Sequence, residues 1–130
     1  NDNLVSVNTC VEIDLTGQVC SESIGTTQIS GTGGATDFAY GALHSKGGRG
    51  IIAFESTLKG GTISKIKTTL TTGAAVSVSR NLVDIVITEY GVAHLRGRSI
   101  RERAEQLIAI AHPSFRDQLR EEAKALKYIL

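Results

Sequence analysis

The chain has 130 residues, 41% of them hydrophobic, which suits one domain built around a single core. Its 14 Lys and Arg oppose 13 Asp and Glu, and the formal net charge of +1 argues against nucleic acid or an anionic membrane as the partner. No apolar run is long enough to cross a membrane and the N-terminal residues lack the layout of a signal peptide, so the sequence predicts a cytoplasmic protein.

The chain contains no Met and begins with Asn1 and Asp2, which predicts a processed chain or a piece of a larger protein. Its two cysteines, Cys10 and Cys20, have neither the spacing nor the neighbouring histidines of a zinc site. We therefore expect no bound metal and two reduced, half-buried thiols on neighbouring strands. A disulfide across the turn between them is also compatible with the sequence.

Residues 4–19 show the alternation of a β-strand, because apolar residues at 11, 13 and 15 are separated by Glu12 and Asp14. Thr16 and Gly17 then provide a turn. Residues 18–21 are predicted to return antiparallel to the first run. The hairpin is expected to bury its apolar face and to expose Glu12 and Asp14 to water.

A glycine-rich segment follows, with glycines at 25, 31, 33 and 34 among Ser and Thr residues. A short helix is predicted to begin near Ala35, from the apolar spacing of the residues after it. Exposed amides just before a helix could hold an anion or a developing oxyanion. The spacing is neither that of Walker A nor GxGxxG, and a simple tight turn explains the glycines equally well.

Residues 51–54 form a short apolar run that is typical of a central strand covered on both faces. Further strands are predicted over residues 62–70, 74–79 and 82–88. Glu55 and Glu89 each follow a predicted strand, where a carboxylate could attack an acyl group or merely cap a loop. Lys46, Arg49 and Lys59 lie in or beside glycine-rich loops, where they could meet phosphates or remain solvated.

The chain becomes helical from Arg98, with Ser99 and Glu102 spaced as a capping box. Apolar residues at 100, 104, 107, 108 and 111 share one face of this helix. Pro113 is expected to end it, with His112 at its C-terminus, where a cation is favoured. Ser114 is expected to begin a second helix whose apolar residues recur at 115, 119, 123 and 126. Strands with interspersed helices predict an α/β fold.

Ordered motifs extend over almost the whole chain. They are Glu12-Ile13-Asp14-Leu15, Ile29-Ser30-Gly31-Thr32-Gly33-Gly34, Ser45-Lys46-Gly47-Gly48, Thr88-Glu89-Tyr90-Gly91 and Ile110-Ala111-His112-Pro113. In this order they resemble the C-terminal domain of the acetyl-CoA hydrolase/transferase family, and its 4-hydroxybutyrate and butyrate-type CoA-transferases in particular. The resemblance implies an α/β fold of the NagB/RpiA-like CoA-transferase type, with an open sheet flanked by helices and two C-terminal helices.

The resemblance also implies a reaction, in which coenzyme A passes between an acyl-CoA and a small carboxylate through a glutamyl-CoA thioester. The nucleophilic Glu of the family lies upstream of the part seen here, and neither Glu55 nor Glu89 matches its motif. The chain alone is therefore expected to be inactive and to need the N-terminal domain of the same enzyme, in a homo-oligomer. An acyl-CoA hydrolase and a non-catalytic CoA-binding module are the alternatives.

Site residues follow from the resemblance position by position. Gly34 matches the glycine whose amide helps to hold the thioester oxyanion, and Ser30, Gly33 and Lys59 fall at positions assigned to coenzyme A. Ala35 departs from the family pattern, because relatives often carry a larger polar residue such as Gln there. This departure leaves the acyl-chain preference open, and the resemblance implies no metal.

Overall fold

The computed structural model describes residues 5–21, 23–24, 27–28 and 49–130. These residues form a mixed α/β structure in which short strands precede two C-terminal helices, so the predicted fold class is confirmed. Of the glycine-rich segment at residues 25–34, residues 27 and 28 are described, and the remainder of the segment and the helix predicted from Ala35 lie outside the described residues.

The strands are numbered along the chain. They are β1 (Val5–Asn8), β2 (Glu12–Asp14), β3 (Val19–Cys20), β4 (Ser23–Ile24), β5 (Thr27–Gln28), β6 (Arg49–Ala53), β7 (Thr57–Leu58), β8 (Ile63–Ser64), β9 (Ile66–Lys67), β10 (Ile85–Thr88) and β11 (Gly91–His94). A 3-10 turn covers Lys59–Gly61, and the helices are α1 (Ile100–Ile110) and α2 (Pro113–Ala125).

The largest sheet has the strand order β1-β6-β10-β11. Its first three strands are parallel, with Ile51 of β6 opposite both Val7 and Ile85, and β11 runs antiparallel to β10. The apolar run at residues 51–54 therefore belongs to a central strand, as its composition predicts. The hairpin that β11 forms with β10 was not predicted, and its turn is made by Glu89 and Tyr90.

One face of this sheet is closed by α1. Ile52, Val86 and Ala93 from the sheet are buried in the same core as Leu107 and Ile108 of the helix. The predicted capping box is present, since the Ser99 hydroxyl accepts from the Glu102 amide and the Glu102 carboxylate accepts from the Ser99 amide. Residues 104, 107, 108 and 111 of the predicted apolar face are completely buried.

The second helix begins differently from the prediction. His112 rather than Ser114 is its N-cap, with Nδ1 accepting a hydrogen bond from the Ser114 amide at 3.1 Å, and Pro113 occupies the first helical turn. A proline suits that position because its missing N–H would have no helical partner there. His112 directly follows Ala111, the C-cap of α1, so it lies at that helix C-terminus as expected, and it is also the N-cap of α2. Leu126 is also 47% exposed rather than part of the apolar face.

The predicted hairpin exists, with Glu12 opposite Cys20 and Ile13 opposite Val19. It belongs, however, to a separate sheet of order β3-β2-β9, because the chain leaves the strand conformation between β1 and β2. The expectation of a water-exposed acidic face is wrong, since Glu12 is 2% exposed and Asp14 is 5% exposed.

Both buried carboxylates have hydrogen-bond donors, which explains why they tolerate burial. Asp14 Oδ1 accepts from the Thr16 amide, the Thr16 hydroxyl and the Gln18 amide, and so holds the turn together. Glu12 accepts from the amide and the hydroxyl of Thr71. Its Oε2 also lies 3.9 Å from Lys67 Nζ.

Three of the predicted strands differ from the observed structure. Residues 62–70 hold two short strands that enter different sheets, since β8 pairs with β7 and β9 with β2. Residues 74–79 form a single bridge from Val78 to Val19 instead of a strand, because β3, their partner, is only two residues long. Residues 82–84 precede β10, since the Leu82 amide closes a turn onto the Ser79 carbonyl.

Both cysteines are buried, at 4% exposure for Cys10 and 0% for Cys20, and they are not joined by a disulfide. The two thiols are separate and more deeply buried than predicted, and Cys10 lies between β1 and β2. No helix among the described residues is long and apolar enough to span a bilayer.

Candidate functional site

The carboxyl ends of the parallel strands bring several polar side chains to one edge of the main sheet. Glu55 and Ser56 follow β6, and Glu89 directly follows the neighbouring strand β10. The Phe54 amide donates to the Ile87 carbonyl at 3.1 Å, so the segments of β6 and β10 stay paired beyond the last residue of β6. Ligands of open α/β sheets bind at this edge, which makes it the candidate site.

Ser56 and Glu89 are joined directly across this edge. The Ser56 amide donates to Glu89 Oε1 at 2.8 Å, and the Ser56 carbonyl accepts from the Lys65 amide at 2.8 Å. Ser56 is completely buried, whereas Glu89 is exposed. The backbone of Ser56 is thus fixed at both polar groups, and it holds a carboxylate that faces solvent.

The surroundings of Glu89 keep it ionised. Partial burial raises the pKa of its carboxyl, but hydrogen bonds from the amides of Ser56 and Glu89, the nearby Ser56 hydroxyl and the positive potential of His112 together lower the pKa below its ordinary value. The site therefore presents a negative charge and hydrogen-bond acceptors at neutral pH.

An aromatic and cationic cluster lies beside Glu89. The Arg116 guanidinium sits 5.4 Å from the centre of the Tyr90 ring, and the His112 ring meets Tyr90 edge-on at 5.6 Å. Arg116 also donates from Nε to the Ala111 carbonyl at 2.9 Å. The arrangement combines a flat apolar surface with a cation, which suits a polar ligand that carries a ring or an anionic group.

The turn Lys59–Gly61 lies at the same end of β6. Lys59, Gly60 and Gly61 all have left-handed backbone angles, with φ of 50°, 65° and 92°. For a residue with a side chain this conformation costs about 1 kcal/mol or more, and such strain clusters at functional sites. The Lys59 carbonyl accepts from the amide and the hydroxyl of Thr62, which stabilises the turn.

Lys59 is exposed, and added Cβ atoms at Gly60 and Gly61 would meet nothing within 4 Å, so the turn projects from the body of the protein. Lys59 follows Ser56 by three residues. That length of chain spans at most about 11 Å between Cα atoms. The lysine is therefore held near the edge where Ser56 and Glu89 meet.

Among the site residues predicted from sequence, Lys59 is the one that the described part of the chain contains. Ser30, Gly33 and Gly34 lie outside the described residues. Arg49 begins β6, so it lies at the opposite edge of the sheet from Glu89 and does not join the site. Ser56 was missed, and its position next to Glu55 after a strand is the signal that could have indicated it.

A groove of about 360 Å³ lies between the β8–β9 segment and α2. Its lining is rich in hydroxyl groups and includes Thr62, Ser64, Thr68, Phe115 and Glu122. The Thr68 hydroxyl donates to Glu122 Oε1 at 2.9 Å across it. Within residues 5–21 and 49–130 no group of three or more His, Cys, Asp or Glu side chains is placed to hold a metal ion.

Comparison with known proteins identifies a family. The family model described as the acetyl-CoA hydrolase/transferase C-terminal domain matches residues 1–123. The 4-hydroxybutyrate coenzyme A transferase of Clostridium kluyveri is 61% identical over 124 residues, which cover 95% of this chain and 29% of the relative. The succinyl-CoA:cyclohexane-1-carboxylate CoA transferase of Geobacter metallireducens is 54% identical over 129 residues, covering 99% of this chain and 30% of that protein.

The solved structure of RipA from Yersinia pestis has the same fold over almost the whole chain. It superposes with a TM-score of 0.92 at 44% identity, covering 99% of this chain and 29% of that one. The chain thus spans less than a third of the length of each of these similar proteins.

Proposed function

Because the chain belongs to the acetyl-CoA hydrolase/transferase family, whose C-terminal domain it matches, we propose that the complete protein is a CoA-transferase. Its substrates are an acyl-CoA and a small carboxylate of the 4-hydroxybutyrate, butyrate or acetate type. The identity of 61% to a 4-hydroxybutyrate coenzyme A transferase carries this proposal. The relative at 54% identity is named for a different carboxylate, cyclohexane-1-carboxylate. The acyl group that this protein prefers is therefore to be determined by an activity assay.

In the proposed reaction a glutamate carboxylate attacks the thioester carbonyl carbon and expels the CoA thiolate, which leaves a mixed anhydride. The thiolate attacks the glutamyl carbonyl carbon, breaks the anhydride bond and releases the first carboxylate. The acceptor carboxylate then reverses these steps on the glutamyl-CoA thioester. We place this glutamate in the N-terminal domain of the same enzyme, because Glu55 and Glu89 do not match its motif.

The proposed CoA site combines the glycine-rich segment with the Lys59–Gly61 turn. The Gly34 amide donates to the developing oxyanion, while Ser30 and Gly33 contact coenzyme A, and amide donors of this kind are worth on the order of a hundredfold to a thousandfold in rate. Lys59 supplies a positive charge for the CoA phosphates. Its exposure, its strained backbone and its place beside Ser56 support this role.

Calorimetric titration of the chain with coenzyme A tests the site. Lys59→Ala should weaken binding, because a cation facing the phosphates is lost. Lys127→Ala is the matched control, since Lys127 is also an exposed lysine with a positive φ, of 61°, but lies just after α2. Equal effects of the two substitutions would show that Lys59 contributes only to the net charge.

A second experiment separates transfer from hydrolysis, the alternative that the family description itself raises. The complete protein is incubated with an acyl-CoA in the presence and absence of acetate. A transferase moves coenzyme A to acetate, so it forms acetyl-CoA only when acetate is present. A hydrolase releases free coenzyme A without acetate. Trapping of a glutamyl thioester with hydroxylamine would exclude the other alternative, a CoA-binding module without catalysis.

A further inference from the structure

We propose that Ser56 is a positioning residue for Glu89, with its amide and its buried hydroxyl acting as two donors that orient the Glu89 carboxylate toward bound substrate. The inference rests on the proposed function, because the substrate at this edge is the acyl-CoA. It assigns a role to a side chain that the motifs of the sequence do not single out.

The Ser56 hydroxyl differs from the other buried hydroxyls of the described residues. Among the buried side-chain polar atoms of the described residues, it is the one without a hydrogen-bond partner. Buried hydroxyls elsewhere in this part of the chain are paired, since Ser64 donates to the Ile66 carbonyl at 2.7 Å and Thr88 to the Ile110 carbonyl at 2.6 Å. An unpaired buried hydroxyl lowers stability, so an alanine at position 56 would pack at least as well as the serine.

The backbone of Ser56 is fixed by hydrogen bonds. Its amide and carbonyl are both engaged, by Glu89 Oε1 and the Lys65 amide, so the hydroxyl can move only by rotation about its own Cα–Cβ bond. The hydroxyl lies outside bonding geometry but close enough to the Glu89 carboxylate to help lower its pKa. A small closure of the carboxylate onto Ser56 would therefore complete a second hydrogen bond.

Several charged side chains lie near Glu89. His112 contributes positive potential, Arg116 covers the adjacent Tyr90 ring, and Glu55 precedes Ser56 as an exposed carboxylate. Within the described residues, the Ser56 amide donates a hydrogen bond to the Glu89 carboxylate and none of these three side chains does. Ser56 is thus the residue placed to set the direction of the carboxylate.

The test compares Ser56→Ala with Ser64→Ala, which removes a buried hydroxyl that already has a partner. In the 130-residue chain the Glu89 carboxyl is titrated by carbon NMR, and urea unfolding is measured in parallel. Ser56→Ala should raise the pKa of Glu89 without lowering the urea midpoint. Ser64→Ala should lower the midpoint and leave the Glu89 titration unchanged.

In the complete enzyme, Ser56→Ala should lower kcat for CoA exchange by about tenfold, the usual effect of removing a hydrogen bond to a charged group. In a Glu89→Gln background the same substitution should have little further effect, because Ser56 acts through Glu89. An unchanged Glu89 titration and an unchanged kcat would overturn the inference. A complete protein without CoA exchange would instead refute the proposed function, and the NMR titration of the chain would still decide whether Ser56 orients Glu89.

Discussion

Gly17 is the position where a single methyl group should be most informative. It lies in the β2–β3 turn with φ of +96°, and an added Cβ would come within 3.1 Å of Arg103 Nη1 and 3.3 Å of Leu95 Cδ1. Arg103 is 7% exposed, and its Nη1 donates to the Thr16 carbonyl at 3.1 Å and the Arg80 carbonyl at 2.8 Å. This guanidinium joins the turn to α1.

The expected cost of Gly17→Ala has two parts. The positive φ costs a residue with a Cβ about 1–2 kcal/mol. Displacing Arg103 weakens hydrogen bonds from a charged donor, each worth about 1.5–3 kcal/mol. Loss of one such bond brings the total to about 2.5–5 kcal/mol. Gly97→Ala is the control, because Gly97 has φ of +75° and its Cβ would meet nothing within 4 Å, so only the first part applies.

Urea unfolding of the chain measures the free energy of unfolding of both variants. Thermal unfolding is a second probe, in which the melting temperature should fall by about 3–5 °C for each kcal/mol lost. Gly17→Ala should lose about 2 kcal/mol more than Gly97→Ala. In an Arg103→Ala background the excess should shrink, because the group that is displaced is gone. Equal losses for the two glycines, or an excess that persists without Arg103, would refute the reasoning.

Other predictions concern the helices and the thiols. Ser99→Ala should lower the free energy of unfolding by about 1 kcal/mol, whereas Ser114→Ala should cost less than half of that, because His112 caps the second helix. Burial raises the pKa of Cys10 to about 12, so iodoacetamide at pH 8 should alkylate this thiol only after unfolding. Since the folded pKa lies above the ordinary thiol value of 9.0, the Cys10 contribution to stability is complete below pH 9 and is lost toward pH 12. The urea midpoint should therefore fall more steeply above pH 9 in the parent protein than in Cys10→Ala.

The helices were predictable because their signals are local. Ser99 and Glu102 satisfy each other's amides within one turn, and the apolar period continues to residue 111. The second helix was predicted to begin at Ser114, whereas its N-cap is His112, two residues earlier. A histidine N-cap accepts through a ring nitrogen, and the preference rules for Ser, Thr, Asp and Asn do not anticipate it.

The short strands were less predictable because alternation does not reveal the partner. Residues 74–79 have the composition of a strand, yet one bridge to Val19 is all that the two-residue β3 can offer. The acidic residues of β2 show the same limit. Glu12 is buried because it meets Thr71, which lies 59 positions away in the sequence.

The candidate site was predictable in part. The rule that ligands bind at the carboxyl ends of parallel strands placed Glu55 and Glu89 correctly at one edge. The resemblance to a family indicated Lys59, whose left-handed conformation is consistent with the two glycines that follow it. Ser56 could not be inferred, because its importance depends on a hydrogen bond to a residue 33 positions later.

The topology explains why these residues meet and why Glu89 is held firmly. Chain segments that leave β6 and β10 at their carboxyl ends start from one edge, so Ser56 and Lys59 begin near Glu89. The next turn is anchored as well, since the Thr88 hydroxyl donates to the Ile110 carbonyl and accepts from the Tyr90 amide. Glu89 thus projects from a backbone tied to β6 on one side and to α1 on the other. A carboxylate held in this way needs little reorganisation when substrate binds, which is the condition under which one extra donor from Ser56 has a measurable effect on rate.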